Sequence, residues 1–103
     1  MRIPLGVIAL AQGTDEVSVL LPMQGYNTIQ IELVVFTGAV DVSVENSNDG
    51  QDWRVKDSYA TVTGPAFKIF APTPIAAATV RVRWAQNGVG AAVMSGSINL
   101  STQ

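Results

Sequence analysis

Apolar and polar residues take turns along most of this chain, and that period of two constrains its fold more than any other feature. Val40, Val42 and Val44 alternate strictly with Asp41, Ser43 and Glu45, and Val80, Val82 and Trp84 alternate with Arg81 and Arg83. The same rhythm runs through Val17, Val19 and Leu21, through Ile29, Ile31 and Leu33, and through Trp53 and Val55. Successive side chains of a strand point to opposite faces, so each run buries one face and wets the other. Breakers fall between the runs at Gln12-Gly13-Thr14, Pro22 to Asn27, Thr37-Gly38, Asn48-Asp49-Gly50, Thr63-Gly64-Pro65, Pro72-Thr73-Pro74 and Asn87-Gly88. No stretch of roughly 10–12 residues holds an uninterrupted helical spacing. Only a short helical turn near Ile75 to Ala78 is expected.

Eight strands are predicted, over 2–12, 16–22, 28–36, 39–46, 53–62, 66–71, 79–86 and 91–101. Short strands at this spacing fold as an all-β antiparallel sandwich of two packed sheets, jelly-roll-like, with residues 1–103 as one domain. The apolar run Leu5 to Ala11 ends in Ala9-Leu10-Ala11 and imitates a secretory leader. It is shorter than the ~15–30 residues of such signals, so a first strand is expected there. No apolar run approaches the ~20 residues of a membrane span, so no membrane partner and a soluble location are expected.

The chain holds no His and no Cys. That excludes disulfides, thiolate or imidazole metal ligands, cysteine nucleophiles and Ser-His-Asp triads. Acid–base work would fall to carboxylates, Lys56, Lys68, Tyr26 or Tyr59, and no pattern gathers them. Asp41 and Glu45 share a strand face but stand about 13 Å apart at ~3.3 Å per residue, beyond the spacing of a glycosidase pair. Gly88-Val89-Gly90 lacks the Lys-Ser/Thr ending of a phosphate loop. No enzyme, no cofactor and no metal are expected. The formal net charge of −2 gives no draw toward phosphate backbones, so no nucleic acid is expected either. Arg81 and Arg83 (with Lys68), and Arg54 with Lys56, instead read as cations for pairing with Glu32, Asp41 or Glu45.

Charged residues make up 14% of the chain, against a usual share of ~25%. A free monomer normally carries more charge for solubility. Three segments, 5–11, 33–36 and 90–94, are apolar or small on both strand faces, so something covers their second face. In a two-layer domain of this size sister molecules are the economical cover. The predicted interface residues are Leu5, Val7, Ile8, Val34, Val35, Phe36, Ala92, Val93 and Met94. A charged substitution such as Val35→Asp is expected to block assembly and leave the fold intact.

The most specific local feature is Val44-Glu45-Asn46-Ser47-Asn48-Asp49-Gly50-Gln51-Asp52-Trp53. It reads as strand, tight turn and strand: Asn48 and Asp49 cap their own backbone, Gly50 supplies the left-handed position, and Trp53 is expected to re-enter the core. Placed on an EF-hand loop, Glu45, Ser47 and Asp49 take the first ligand positions, but Lys56 stands where a bidentate Glu is required. A looser Ca²⁺ site from Asn48, Asp49 and Asp52 is left open. The stretch resembles the V-x-G-S-N-D-G-x-x-W hairpin of small β-sandwich virion proteins of tailed bacteriophages, with Asn46 at the pattern's glycine. A similar hairpin occurs in discoidin-like carbohydrate-binding domains. The resemblance covers about ten of the 103 residues. It implies a structural virion protein of the head-decoration (cement) or tail-accessory type, a homo-oligomer (a trimer among the candidates) seated on a larger lattice such as a capsid. The alternatives are a carbohydrate-binding module using Trp53, Tyr26 or Tyr59, and a cytoplasmic location.

Overall fold

The inward residues of the alternating runs meet each other across strand pairs, as their spacing requires. Val44 lies opposite Val82 and Val42 opposite Trp84, which puts all four on one face of one sheet. The structure, a computed structural model, describes residues 1–18 and 20–103, so Val19 lies outside the described residues. In chain order the strands are β1 (Arg2–Leu10), β2 (Asp15–Val17), β3 (Leu21–Pro22), β4 (Thr28–Thr37), β5 (Ala39–Ser47), β6 (Arg54–Ser58), β7 (Val62–Thr63), β8 (Ala66–Ile69), β9 (Thr73–Pro74), β10 (Thr79–Asn87) and β11 (Ala92–Ser101).

Two sheets form. One runs β1-β11-β4-β8, with β9 also on β4; the other runs β2-β10-β5-β6, with β3 on β10 and β7 on β5. Every pairing is antiparallel. The pairings nest: β1 with β11, β2 and β3 with β10, β4 with β8 and β9, β5 with β6 and β7. One long hairpin rolled into two layers is the logic of an eight-stranded jelly roll. The predicted all-β, two-sheet sandwich is the architecture observed.

Three predicted elements differ in detail. The 16–22 strand divides into β2 and β3, and the 53–62 strand into β6 and β7, so each predicted strand becomes two short pieces on one partner. The turn expected near Ile75 to Ala78 is not helical; β9 precedes it, and the Ile75 amide donates to the Asn27 carbonyl at 2.8 Å. Among the described residues no helix is long and apolar enough to cross a membrane.

The core lies between the sheets. Ile29, Ile31, Leu33 and Val35 of β4, with Met94, Ile98 and Leu100 of β11, face Val40, Val42, Val44, Val80 and Val82 of the other sheet. Each such side chain contributes roughly 1.5–3 kcal/mol by leaving water. Two glycines permit the close packing. Gly38, at φ 79°, turns β4 into β5, and a Cβ there would sit 2.6 Å from the Ala91 carbonyl oxygen. Gly96 in β11 lies so close to β4 that a Cβ would fall on the Glu32 carbonyl oxygen.

The folded chain exposes 5428 Å², close to the roughly 5,600 Å² of a free monomer of this mass. Its total exposure is therefore ordinary, and what distinguishes it is how the exposed apolar area is distributed.

Candidate functional site

The two outer faces of the sandwich are chemically unlike. On the β2-β10-β5-β6 face, Arg81 and Glu45 are direct cross-strand partners, and Arg83 follows Arg81 two residues along β10. Arg81 Nε donates to Glu45 Oε1 at 2.7 Å, Arg83 Nε donates to Glu45 Oε2 at 3.2 Å, and Arg83 also pairs with Asp15 of β2. Glu45 is 8% exposed. Burial works to raise its pKa, but the donors and positive charges of Arg81 and Arg83 outweigh it and hold the carboxyl below its ordinary value. Hydrogen bonds to Glu45 and Asp15 push Arg83 up in turn. The arginines pair with a carboxylate of the neighbouring strand, as their spacing predicts, and this face closes on itself.

The β1-β11-β4-β8 face has no such cover. Its outward positions include Val7 at 72% exposed, Phe36 at 48%, Phe67 at 62% and Ile69 at 51%. Val34 and Val93 join them, half-buried. The register sets Val34 opposite Phe67 and Ser95, Val93 opposite Ala9 and Thr37, and Ile69 opposite Glu32, while Val7 and Phe36 lie at the bulges of β1 and β4. Arg2, Glu32 and Ser97 border it, with Glu32 Oε2 accepting from Arg2 at 3.5 Å and from Ser97 at 3.1 Å.

The predicted interface residues thus divide. Val7 and Phe36 are exposed on this face, and Val34 and Val93 are outward and half-buried. Leu5 and Ile8 are partly buried and pack against the core. Val35, Ala92 and Met94 are sealed in the chain's own core, at 1%, 0% and 0% exposed, and no partner can reach them. In runs apolar on both faces, the periodicity does not say which phase is internal. Phe67 and Ile69 escaped the sequence reading because they flank Lys68, a pattern that reads as an inward pair.

The Ser47–Gly50 turn is satisfied from within. Asp49 Oδ1 accepts from the Gln51 and Asp52 amides, each at 2.8 Å, and from Ser47 Oγ at 2.8 Å. Those two backbone donors, with Ser47, pull the Asp49 carboxyl down to about 2. Asn48 Oδ1 accepts from the Ala78 amide at 3.0 Å, tying the turn to the loop before β10, and Asp52 pairs with Arg54. The three side chains left open as Ca²⁺ ligands already have protein partners. Among the described residues no cluster of three carboxylates gathers as a metal site.

Trp53 departs from its expected place. It is half-exposed and lies under Arg81, whose guanidinium carbon is 4.2 Å from the ring centroid, while Trp84 is buried at 3% exposed. Tyr59 stacks on Phe70 at 4.3 Å and shares a 2.7 Å hydrogen bond with Thr73, which donates to Asp57. Burial pushes the Tyr59 phenol up, with Asp57 adding to the effect and the Thr73 hydrogen bond opposing it. Tyr26 packs partly against the core. The three aromatics proposed as a sugar platform are engaged separately and are not gathered into one. Asp41 is held by Thr61 and Asn87, away from the Glu45 network.

The fold defines a class: two antiparallel sheets in a nested jelly-roll order. One outer face carries the Glu45–Arg81–Arg83 ion pairs beside exposed Val17 and Val55, and the other carries exposed Val7, Phe36, Phe67 and Ile69 beside Arg2 and Glu32. Among solved structures, the whole chain superposes on the PBSX exported protein XepA with a TM-score of 0.87 at 9% sequence identity, covering 100% of this chain and 37% of that one. At this identity the likeness is one of fold, and the chain spans little more than a third of that protein's length. No family model and no curated protein matches the chain.

Proposed function

We propose that this chain is a non-enzymatic structural subunit of a phage-related particle, of the head-decoration or tail-accessory type, which binds copies of itself and a larger protein lattice through apolar contacts. The observation that carries the reading is the cluster of exposed apolar side chains, Val7, Phe36, Phe67 and Ile69, on the outer face of the β1-β11-β4-β8 sheet, on a domain whose other face is held by its own ion pairs. An exposed apolar patch of a few hundred Å² on a single domain often marks a binding surface. Supporting it are the hairpin at Ser47 to Trp53, the low charge content, and a fold shared with an exported protein of the phage PBSX.

The test is cosedimentation. Particles purified from a lysate of cells expressing the chain beside the rest of its gene cluster are expected to carry it in stoichiometric amount, measured by mass spectrometry of the particle band. Finding the chain wholly in the particle-free supernatant would overturn the reading.

A further inference from the structure

We infer that the outer face of the β1-β11-β4-β8 sheet binds the same face of a second copy of this chain, sheet against sheet. This deepens the assembly reading above and rests on it. Three observations point to a second copy as the occupant.

The first is area. With a phenylalanine presenting ~150–250 Å² in full, the exposed parts of Val7, Phe36, Phe67 and Ile69 amount to on the order of 400 Å² of apolar surface. A stable interface buries ~800 Å² per partner, of which ~56–65% is apolar. The patch therefore supplies most of the apolar area that one side of a lasting dimer needs.

The second is charge. Beside the patch Arg2 and Glu32 stand 3.5 Å apart, with Glu32 directly opposite Ile69. A border holding both signs offers nothing to a partner of one sign. Under a two-fold rotation it is self-complementary, because the Arg2 of one copy comes to the Glu32 of the other.

The third is what the edges forbid. β1, an outer strand of this sheet, carries Pro4 and a bulge between Leu5 and Ile8, and β6, an outer strand of the other sheet, carries Arg54 and Lys56. Proline, bulges and edge cations discourage strand-to-strand addition. Those two edges are poor sites for strand addition, whereas the exposed side chains of Phe67 and Ile69 stand out from the sheet face, where packing at the ~10 Å spacing of stacked sheets would bury them.

The experiment is sedimentation velocity over a wide concentration series on the full chain, with Phe67→Glu beside it. Because the chain has no cysteine, Phe67→Cys and Val55→Cys serve as single-site probes with a short thiol-to-thiol crosslinker. Val55 is 59% exposed on the opposite face of the molecule and is the control. The expected result is a chain that self-associates, a Phe67→Glu variant that sediments as a single chain with its far-ultraviolet dichroism unchanged, and crosslinked dimer from Phe67→Cys only. A parent chain that stays single at every concentration overturns the inference. So does association that persists in Phe67→Glu with crosslinking through Val55→Cys; self-assembly then stands on another face, and the particle reading is untouched. Self-association through Phe67 with no chain on purified particles overturns the particle reading and leaves this one standing.

Discussion

The Arg81 guanidinium carbon lies 4.2 Å from the centroid of the Trp53 ring, while the same side chain's Nε donates to Glu45 at 2.7 Å. One arginine thus joins β10 to β5 by charge and to the residue before β6 by its flat face. A lysine can supply the charge but not the planar stack.

Arg81→Lys is therefore expected to cost about 1 kcal/mol and Arg81→Ala about 2 kcal/mol, since the alanine also leaves Glu45 with Arg83 alone. Urea denaturation measures both. A double-mutant cycle with Trp53→Ala should return a coupling of about 0.5–1 kcal/mol. Zero coupling would show the stack to be incidental.

Acid should weaken the Ser47–Gly50 turn. The folded pKa of Asp49, about 2, lies below its ordinary value of 3.8, so the native state binds this proton less readily than the unfolded chain. Its contribution is then complete above about pH 4 and is lost as pH falls toward 2. The depressed Glu45 carboxyl acts in the same direction. Thermal midpoints of Asp49→Ala and the parent chain should differ at neutral pH and converge near pH 2. A gap that does not change with pH would refute the assignment.

Gly96→Ala should destabilise the chain by at least about 2 kcal/mol, because its Cβ would fall on the Glu32 carbonyl and force β11 from β4. Gly6→Ala, where nothing lies within 4 Å, should be nearly neutral. Equal effects in urea denaturation would contradict the close approach.

Among the described residues, the Trp84 indole nitrogen is a buried donor with no partner. Removing it frees the core of an unmet hydrogen bond, so Trp84→Phe should cost under about 1.5 kcal/mol, whereas Trp84→Ala should cost about 3–5 kcal/mol. A phenylalanine variant as unstable as the alanine one would mean the nitrogen is bonded in solution.

Neighbouring residues of β4, Val35 and Phe36, should respond in opposite ways to charge. Val35→Asp puts a carboxylate in the core at a position 1% exposed and should unfold the chain, not merely block assembly. Phe36→Asp, on the outward face, should leave circular dichroism unchanged. Two folded variants, or two unfolded ones, would reverse the placement of β4.

The sandwich was legible because alternation constrains every strand locally. Val40 to Val44 and Val80 to Trp84 announced both their strands and their inward faces, and the Ser47–Gly50 turn announced its hairpin through residues that bond their own backbone. The candidate face was legible only in part. Val7, Val34, Phe36 and Val93 were among the expected interface residues, yet so were Val35, Ala92 and Met94, which the core absorbs. Trp53 read as core because alternation was extended into a turn, where the period of two no longer governs direction. Around Phe67 and Ile69 the local alternation with Lys68 pointed to the wrong face.

By itself the order of residues determined the strands, the two layers and the exclusion of thiol and imidazole chemistry, because each depends on near neighbours or on composition. The tertiary structure decided the nested strand order, the phase of the two-faced runs and the gathering of Arg81, Arg83, Glu45 and Asp15. These depend on partners far apart in the chain, such as Met1, whose amino group donates to the Leu100 carbonyl at 2.5 Å. A strand's own pattern states that its two faces differ; only the segment laid against it settles which face is sealed and which is left to water.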